Sequence, residues 1–231
     1  MYGLLGATVN AVAVLIGGLA GLLIGKALNK KLGDAVMTGL ALVVIYIGIS
    51  GAFKGENTVI TIISIAIGTV IGTVLHLEDG VMLLGKKLED AVSKNGDGRI
   101  AKGFVSSSLL FCVGAMSITG PLDSGLTGNN TTQYTKALLD GIGAVVFASS
   151  LGVGVLFSAG FIMLYQGSIT LLAVYIKPFL SDVVINEMTC VGSLLIMAIG
   201  LNMLGITKIK LMDMVPAIFM PILLCHIPVL C

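Results

Sequence analysis

The chain has 231 residues, of which 56% are hydrophobic and 11% charged, with a mean hydropathy of +1.07. Soluble domains carry about 25% charged residues, so the charge here is too sparse to cover a soluble surface. Composition also excludes a collagen, a coiled coil, a disulfide scaffold and a DNA-binding domain, and the 31 glycines sit inside apolar runs rather than polar low-complexity tracts. The reading is an all-α polytopic integral membrane protein, folded as a single membrane domain over residues 1–231.

A helix crossing a hydrocarbon core of about 30 Å needs about 20 mostly apolar residues. Such runs occupy 4–28, 35–53, 59–75, 103–122, 141–176, 188–204 and 212–230. The uncharged run 141–176 is 36 residues long, and as one helix it would reach about 54 Å. A break is therefore expected at Phe157-Ser158-Ala159-Gly160, which makes eight transmembrane helices. The first run lacks a basic leader and is followed by Lys26, Lys30 and Lys31, so it reads as a span rather than a removable signal peptide. Cytoplasmic loops are enriched in Lys and Arg. Both termini outside the cytoplasmic membrane places ten of the thirteen basic residues inside, and leaves Lys54, Lys136 and Lys177 outside.

Residues 79–102 form a connector between the third and fourth spans. Within it Val81, Leu84, Leu88 and Ala91 recur at helical spacing, with Lys86, Lys87, Glu89 and Asp90 on other faces. This pattern predicts an amphipathic helix on the cytoplasmic surface, ended by the turn Asn95-Gly96-Asp97-Gly98. The turn faintly resembles a calcium loop, but Phe104 stands where that loop needs a bidentate Glu.

The two ends of the chain resemble each other. Val36-Met37-Thr38 and Ile47-Gly48 match Glu187-Met188-Thr189 and Ile199-Gly200; Ala66-Ile67 matches Ala217-Ile218, and His76 matches His226. The offsets are 150 to 152 residues. Residues 1–78 and 155–231 then form two repeats shifted by five spans, so they cross the membrane in opposite senses, as in many secondary transporters. His76 and His226 fall at opposite ends of their spans and share no metal site.

Polar residues inside apolar runs carry the functional information, because unsatisfied groups there are costly. Asn10, Gln166 and Asn202 are such residues, each suited to an interhelical hydrogen bond or a solute contact. Gln166-Gly167-Ser168 is the expected site of a broken helix. In the segment Cys112 to Gly125, Gly120-Pro121 should end a helix, with Ser117 and Thr119 before the break and Asp123 after it. Asp140 opens the next span. Both acids lie on the outer side, where five acids against three bases would concentrate cations. Gly17, Gly21 and Gly25, like Gly68 and Gly72, form ladders that let helices approach closely. Cys112 and Cys190 read as small packing residues, and Cys225, His226 and Cys231 lack a fourth metal ligand.

The opening glycine-rich span with Asn10, the segment Cys112 to Gly125, and Thr135-Lys136-Ala137-Leu138-Leu139-Asp140-Gly141 running into Ala148-Ser149-Ser150-Leu151-Gly152 together resemble one bacterial family. It is the YdfK/YqgA-like membrane proteins, domain of unknown function 554. In that family an acid often stands where Asn129 and Asn130 occur here. The resemblance implies a polytopic membrane protein and points to no particular substrate.

The expected function is a secondary transporter or permease for a small solute or ion. Its path would be lined by Asn10, Ser117, Thr119, Gly120, Asp123, Asp140, Gln166 and Asn202, with Asp123 or Asp140 attracting a cation or proton. The alternatives are an oligomeric ion channel with its constriction at Ser117-Ile118-Thr119-Gly120-Pro121, and a non-transporting membrane scaffold. The expected partners are the lipid bilayer, a small solute or cation, and other copies of the chain in a homo-oligomer. No nucleic acid, cofactor, metal or enzymatic activity is expected.

Overall fold

The computed structural model describes residues 4–27, 30–80, 82–83, 99–113 and 116–227. The longer helices are α1 (Leu5–Ala27), α2 (Lys30–Ala52), α3 (Thr58–Val74), α4 (Arg99–Cys112), α5 (Met116–Thr127), α6 (Thr131–Leu151) and α7 (Gly154–Leu171). They are followed by α8 (Ala173–Ile176), α9 (Asp182–Met203) and α10 (Met220–Leu224), with 3₁₀ stretches at Lys177–Phe179 and Met212–Phe219. Among the described residues there is no strand. The expected amphipathic helix and the turn Asn95-Gly96-Asp97-Gly98 lie mostly or wholly outside the described residues, as does Cys231.

Among the described residues four helices are long and apolar enough to cross a membrane: Leu5–Gly25, Asp34–Ala52, Gly154–Leu171 and Asp182–Met203. A fifth candidate is the pair Ile100–Cys112 and Met116–Thr127, bent by 61°. Thr58–Val74 and Met212–Leu224 are apolar but shorter. Their outer faces carry large apolar side chains such as Ile16, Leu23, Tyr46, Val70 and Leu164, all more than 60% exposed. A surface of this kind is suited to lipid.

Two expected breaks fall elsewhere and a third is absent. The long run does not divide at 157–160; it divides at Gly152, whose φ of 77° ends α6 in a backbone region open to glycine. Gly154 then starts α7 so close to Ile100 that a Cβ would strike its carbonyl oxygen. Gln166-Gly167-Ser168 is not a break, because α7 continues to Leu171. Gly167 packs near Leu4, where a Cβ would make only an ordinary contact at 3.4 Å. Gly120-Pro121 also lies within a helix, α5. The chain bends earlier, between Cys112 and Met116, where the Ser117 hydroxyl donates to the Phe111 carbonyl at 3.0 Å and bridges the bend.

The chain packs as two compact units, divided within α2 between Leu40 and Ala41. The first contains α1 and α4 to α8. Its central contact is α1 against α6, running parallel. A Cβ on Gly17, Gly21 or Gly25 would run into the backbone oxygens of Gly141, Val145 and Ser149 respectively. The four-residue ladder read from the sequence thus lies on a matching four-residue ladder of carbonyls.

The second unit contains the end of α2 with α3, α9, α10 and the 3₁₀ stretch Met212–Phe219. Here the close approaches are antiparallel. Gly48, Gly51 and Gly55 of the α2 end and its following turn lie against Met197, Ser193 and Cys190, while Gly68 and Gly72 lie against Ala217 and Asp213.

Candidate functional site

Helix α6 begins at Thr131, nine residues before the expected start of that span at Asp140, and brings polar residues into the first unit. Gln133, Lys136, Ala137, Asp140 and Ala144 recur at intervals of three and four and are all buried. Leu138, Leu139 and Ile142 on the other face are exposed. Residues four apart on a helix are neighbours, so Lys136 reaches Asp140 without leaving the helix. Its Nζ lies 2.9 Å from Oδ1 and 2.8 Å from Oδ2. Both side chains are under 10% exposed. Neutralisation within the helix is what permits two charges in this position, since a lone buried charge would cost several kcal/mol, about 3–5 when a partner is removed.

Asn10 on α1 completes the pair. Its Nδ2 donates to Asp140 Oδ2 at 2.9 Å and to Gln166 Oε1 on α7 at 3.2 Å. The carboxylate accepts only, so Asn10 must present its amino group. That group in turn requires the oxygen of Gln166. Polarity therefore runs outward from Asp140 and leaves two atoms over. Asn10 Oδ1, an acceptor, and Gln166 Nε2, a donor, are buried without a hydrogen-bond partner.

Gln133, one turn from Lys136, leaves both amide atoms unpartnered, and so does the hydroxyl of Thr170, one turn from Gln166. Asn10, Gln133 and Gln166 are at most 1% exposed. Around Gln133 the backbone is close: a Cβ on Gly6 would lie 2.8 Å from the Gln133 Cβ and 2.6 Å from Asn130 Oδ1, and one on Gly120 would lie 3.1 Å from the Gln133 Cγ. Beyond Asp140 the buried face of α6 turns apolar through Ala144, Phe147, Ala148 and Leu151. Phe147 packs edge-to-face against Phe111 with centroids 6.2 Å apart.

Of the residues singled out in the sequence, Asn10, Asp140 and Gln166 meet in this cluster. Gly120 adjoins it through Gln133. Ser117 is buried but its hydroxyl is spent on Phe111, and Thr119 is half-buried. Asp123 is exposed, with its backbone carbonyl accepting from Thr127 at 2.8 Å. Asn202 belongs to the second unit. Its Oδ1 accepts from Thr207 Oγ1 and the Ile209 amide, and its Nδ2 donates to the Ile209 carbonyl, so it closes the turn after α9. Sequence reading missed Gln133 and placed Lys136 in an outer loop. The signal was present in the three-and-four spacing from Gln133 to Ala144.

The second unit has buried carboxylates of its own. Glu187 Oε1 accepts the Glu56 and Asn57 amides at 2.7 and 2.8 Å, just before α3 begins, where a negative charge suits the helix end. Asp213 accepts the Glu78 amide at 2.9 Å, and Glu78 accepts the Met212 amide at 3.0 Å. His76, at a φ of 51°, lies 3.4 Å from Asp79. His226 Nδ1 lies 2.6 Å from the Ile222 carbonyl. Among the described residues no three His, Cys, Asp or Glu side chains gather to hold a metal.

A family model described as protein of unknown function, DUF554, matches residues 5–226. The chain is 32% identical over 220 residues to the uncharacterized membrane protein YdfK of Bacillus subtilis (strain 168), covering 94% of this chain and 93% of that one. It is 28% identical over 220 residues to the uncharacterized protein YqgA of Escherichia coli (strain K12), covering 94% of each. No solved structure matches.

Proposed function

The chain belongs to the DUF554 family, and we propose that it is a small-solute transporter or permease of the cytoplasmic membrane rather than an enzyme. Its path runs through the buried cluster of Asn10, Gln133, Lys136, Asp140 and Gln166. One observation carries this reading: three amides at the contact of three helices keep unpartnered polar atoms. Buried polar groups in proteins are overwhelmingly hydrogen-bonded, and leaving one unmade in an apolar setting costs about 1–3 kcal/mol. A site that must release its solute keeps such bonds open.

An inverted repeat of residues 1–78 and 155–231 belongs to the same proposal. Helices that cross near a two-fold axis meet their own counterparts. The end of α2 meets α9 with Gly48 beside Met197, and α3 meets the 3₁₀ stretch with Gly68 beside Ala217. Both pairs are antiparallel, and both contacts join residues 149 positions apart (48 to 197, 68 to 217), close to the offset read from the sequence. Asn10 likewise meets Gln166 across an antiparallel pair. The parallel course of α1 and α6 also suits eight spans with both termini outside, since that threading sends both helices inward.

Reconstituted vesicles test the proposal. Saturable uptake of a solute, with or without a proton or sodium gradient, is the expected result. Single-channel currents would favour the channel instead. Absence of both across a broad solute panel would leave the scaffold reading.

A further inference from the structure

We propose that the solute is uncharged and carries a hydrogen-bond donor and acceptor side by side, as a small amide, urea or polyol does. This inference rests on the transporter reading and concerns the chemistry of its site. The charges within the cluster are already matched: both oxygens of Asp140 hold Lys136, and Oδ2 also holds Asn10. Neither charge is left to meet an ion of opposite sign.

The groups left over are all neutral. Asn10 Oδ1 accepts, Gln166 Nε2 donates, Gln133 offers one of each, and Thr170 adds a hydroxyl. These residues lie on α1, α6 and α7; Thr170 is one helical turn, some 5 Å, from Gln166, and Gln133 is one turn from Lys136, about 10 Å along α6 from Asp140, and packs against Gly6, one turn before Asn10. A charged solute entering this apolar surround would lose its hydration with no counter-charge to replace it. A neutral amide-like solute would supply a donor for Asn10 Oδ1 and an acceptor for Gln166 Nε2, with Gln133 and Thr170 offering the same chemistry further along the helices. The orientation of Asn10 and Gln166 is imposed by Asp140, so the ion pair acts as a positioning element that sets which amide atom faces the solute. Lys136 and Asp140 bind no solute themselves.

The full-length chain in vesicles, with acetamide, urea and glycerol as probes, decides the matter. Osmotic swelling should follow these solutes well above protein-free vesicles and should be indifferent to an imposed membrane potential. Gln133→Met, which keeps the side-chain length and removes the hydrogen bonds, should lower that flux about tenfold. Gln166→Met serves as the second variant should the first not fold. Flux carried only by sodium, potassium or protons, or neutral flux unchanged in folded Gln133→Met and Gln166→Met, would overturn the inference while leaving a transport protein. No flux of neutral solute or ion overturns the transporter reading as well.

Discussion

Asn10 donates to Oδ2 of Asp140 at 2.9 Å, tying α1 to α6 across 130 residues of sequence. The carboxylate it reaches is already held by Lys136 one turn away. Asp140→Asn leaves the Lys136 ammonium buried without a counter-charge, and a loss of about 3–5 kcal/mol is expected. Lys136→Met with Asp140→Leu should recover most of it, because an apolar replacement of a whole buried pair is often neutral. Thermal melts in detergent over the double-mutant cycle measure this. Additive losses would show that the two side chains do not act as a pair.

The glycine contacts predict sharp position dependence. At Gly21 a Cβ would strike the Val145 carbonyl oxygen, and at Gly17 that of Gly141. Gly21→Ala should therefore push α1 off α6 and cost about 1–3 kcal/mol as overpacking. Gly39 and Gly160, also helical, have nothing within 4 Å of a Cβ. Alanine there should be neutral or stabilise by up to about 1 kcal/mol. Melting temperatures of the four single variants check the contrast, and equal effects would refute it.

Glu187 holds two backbone amides just ahead of α3. Glu187→Ala should cost about 2–4 kcal/mol, the sum of two bonds to a charged acceptor and the exposure of their donors. Hydrogen exchange gives the local readout: the Glu56 and Asn57 amides should exchange faster, with α1 and α6 unaffected. Uniform change across the chain would mean global loosening instead.

Orientation is open to reporter fusions. Alkaline phosphatase folds only outside the cytoplasmic membrane, so a fusion after Cys231 should be active and one at Asp97 inactive. The reverse pattern would invert the threading deduced from the basic residues.

The glycine ladder of α1 was legible because a four-residue period is a property of one helix, visible without its partner. The partner was not legible. Gly141, Val145 and Ser149 contribute carbonyl oxygens, which every residue has, so nothing in their side chains announces the contact. The breaks were misplaced for a related reason. Pro121 stays within α5 and Gly167 within α7, whereas Gly152, one of 31 glycines, ends α6.

Composition and periodicity alone determined the helical membrane class and the glycine contacts, and singled out Asn10, Asp140 and Gln166 as polar residues in or beside apolar spans. These follow from transfer free energies and helix geometry, which act residue by residue. Tertiary structure decided which polar residues share a site. Asp123 and Asp140 are alike in sequence, yet Asp123 is exposed while Asp140 lies between Lys136 and Asn10. Gln133 is buried where Gly6 and Gly120 approach its side chain closely. Burial of a polar group is a property of the helices around it, and those helices are brought together from distant parts of the chain.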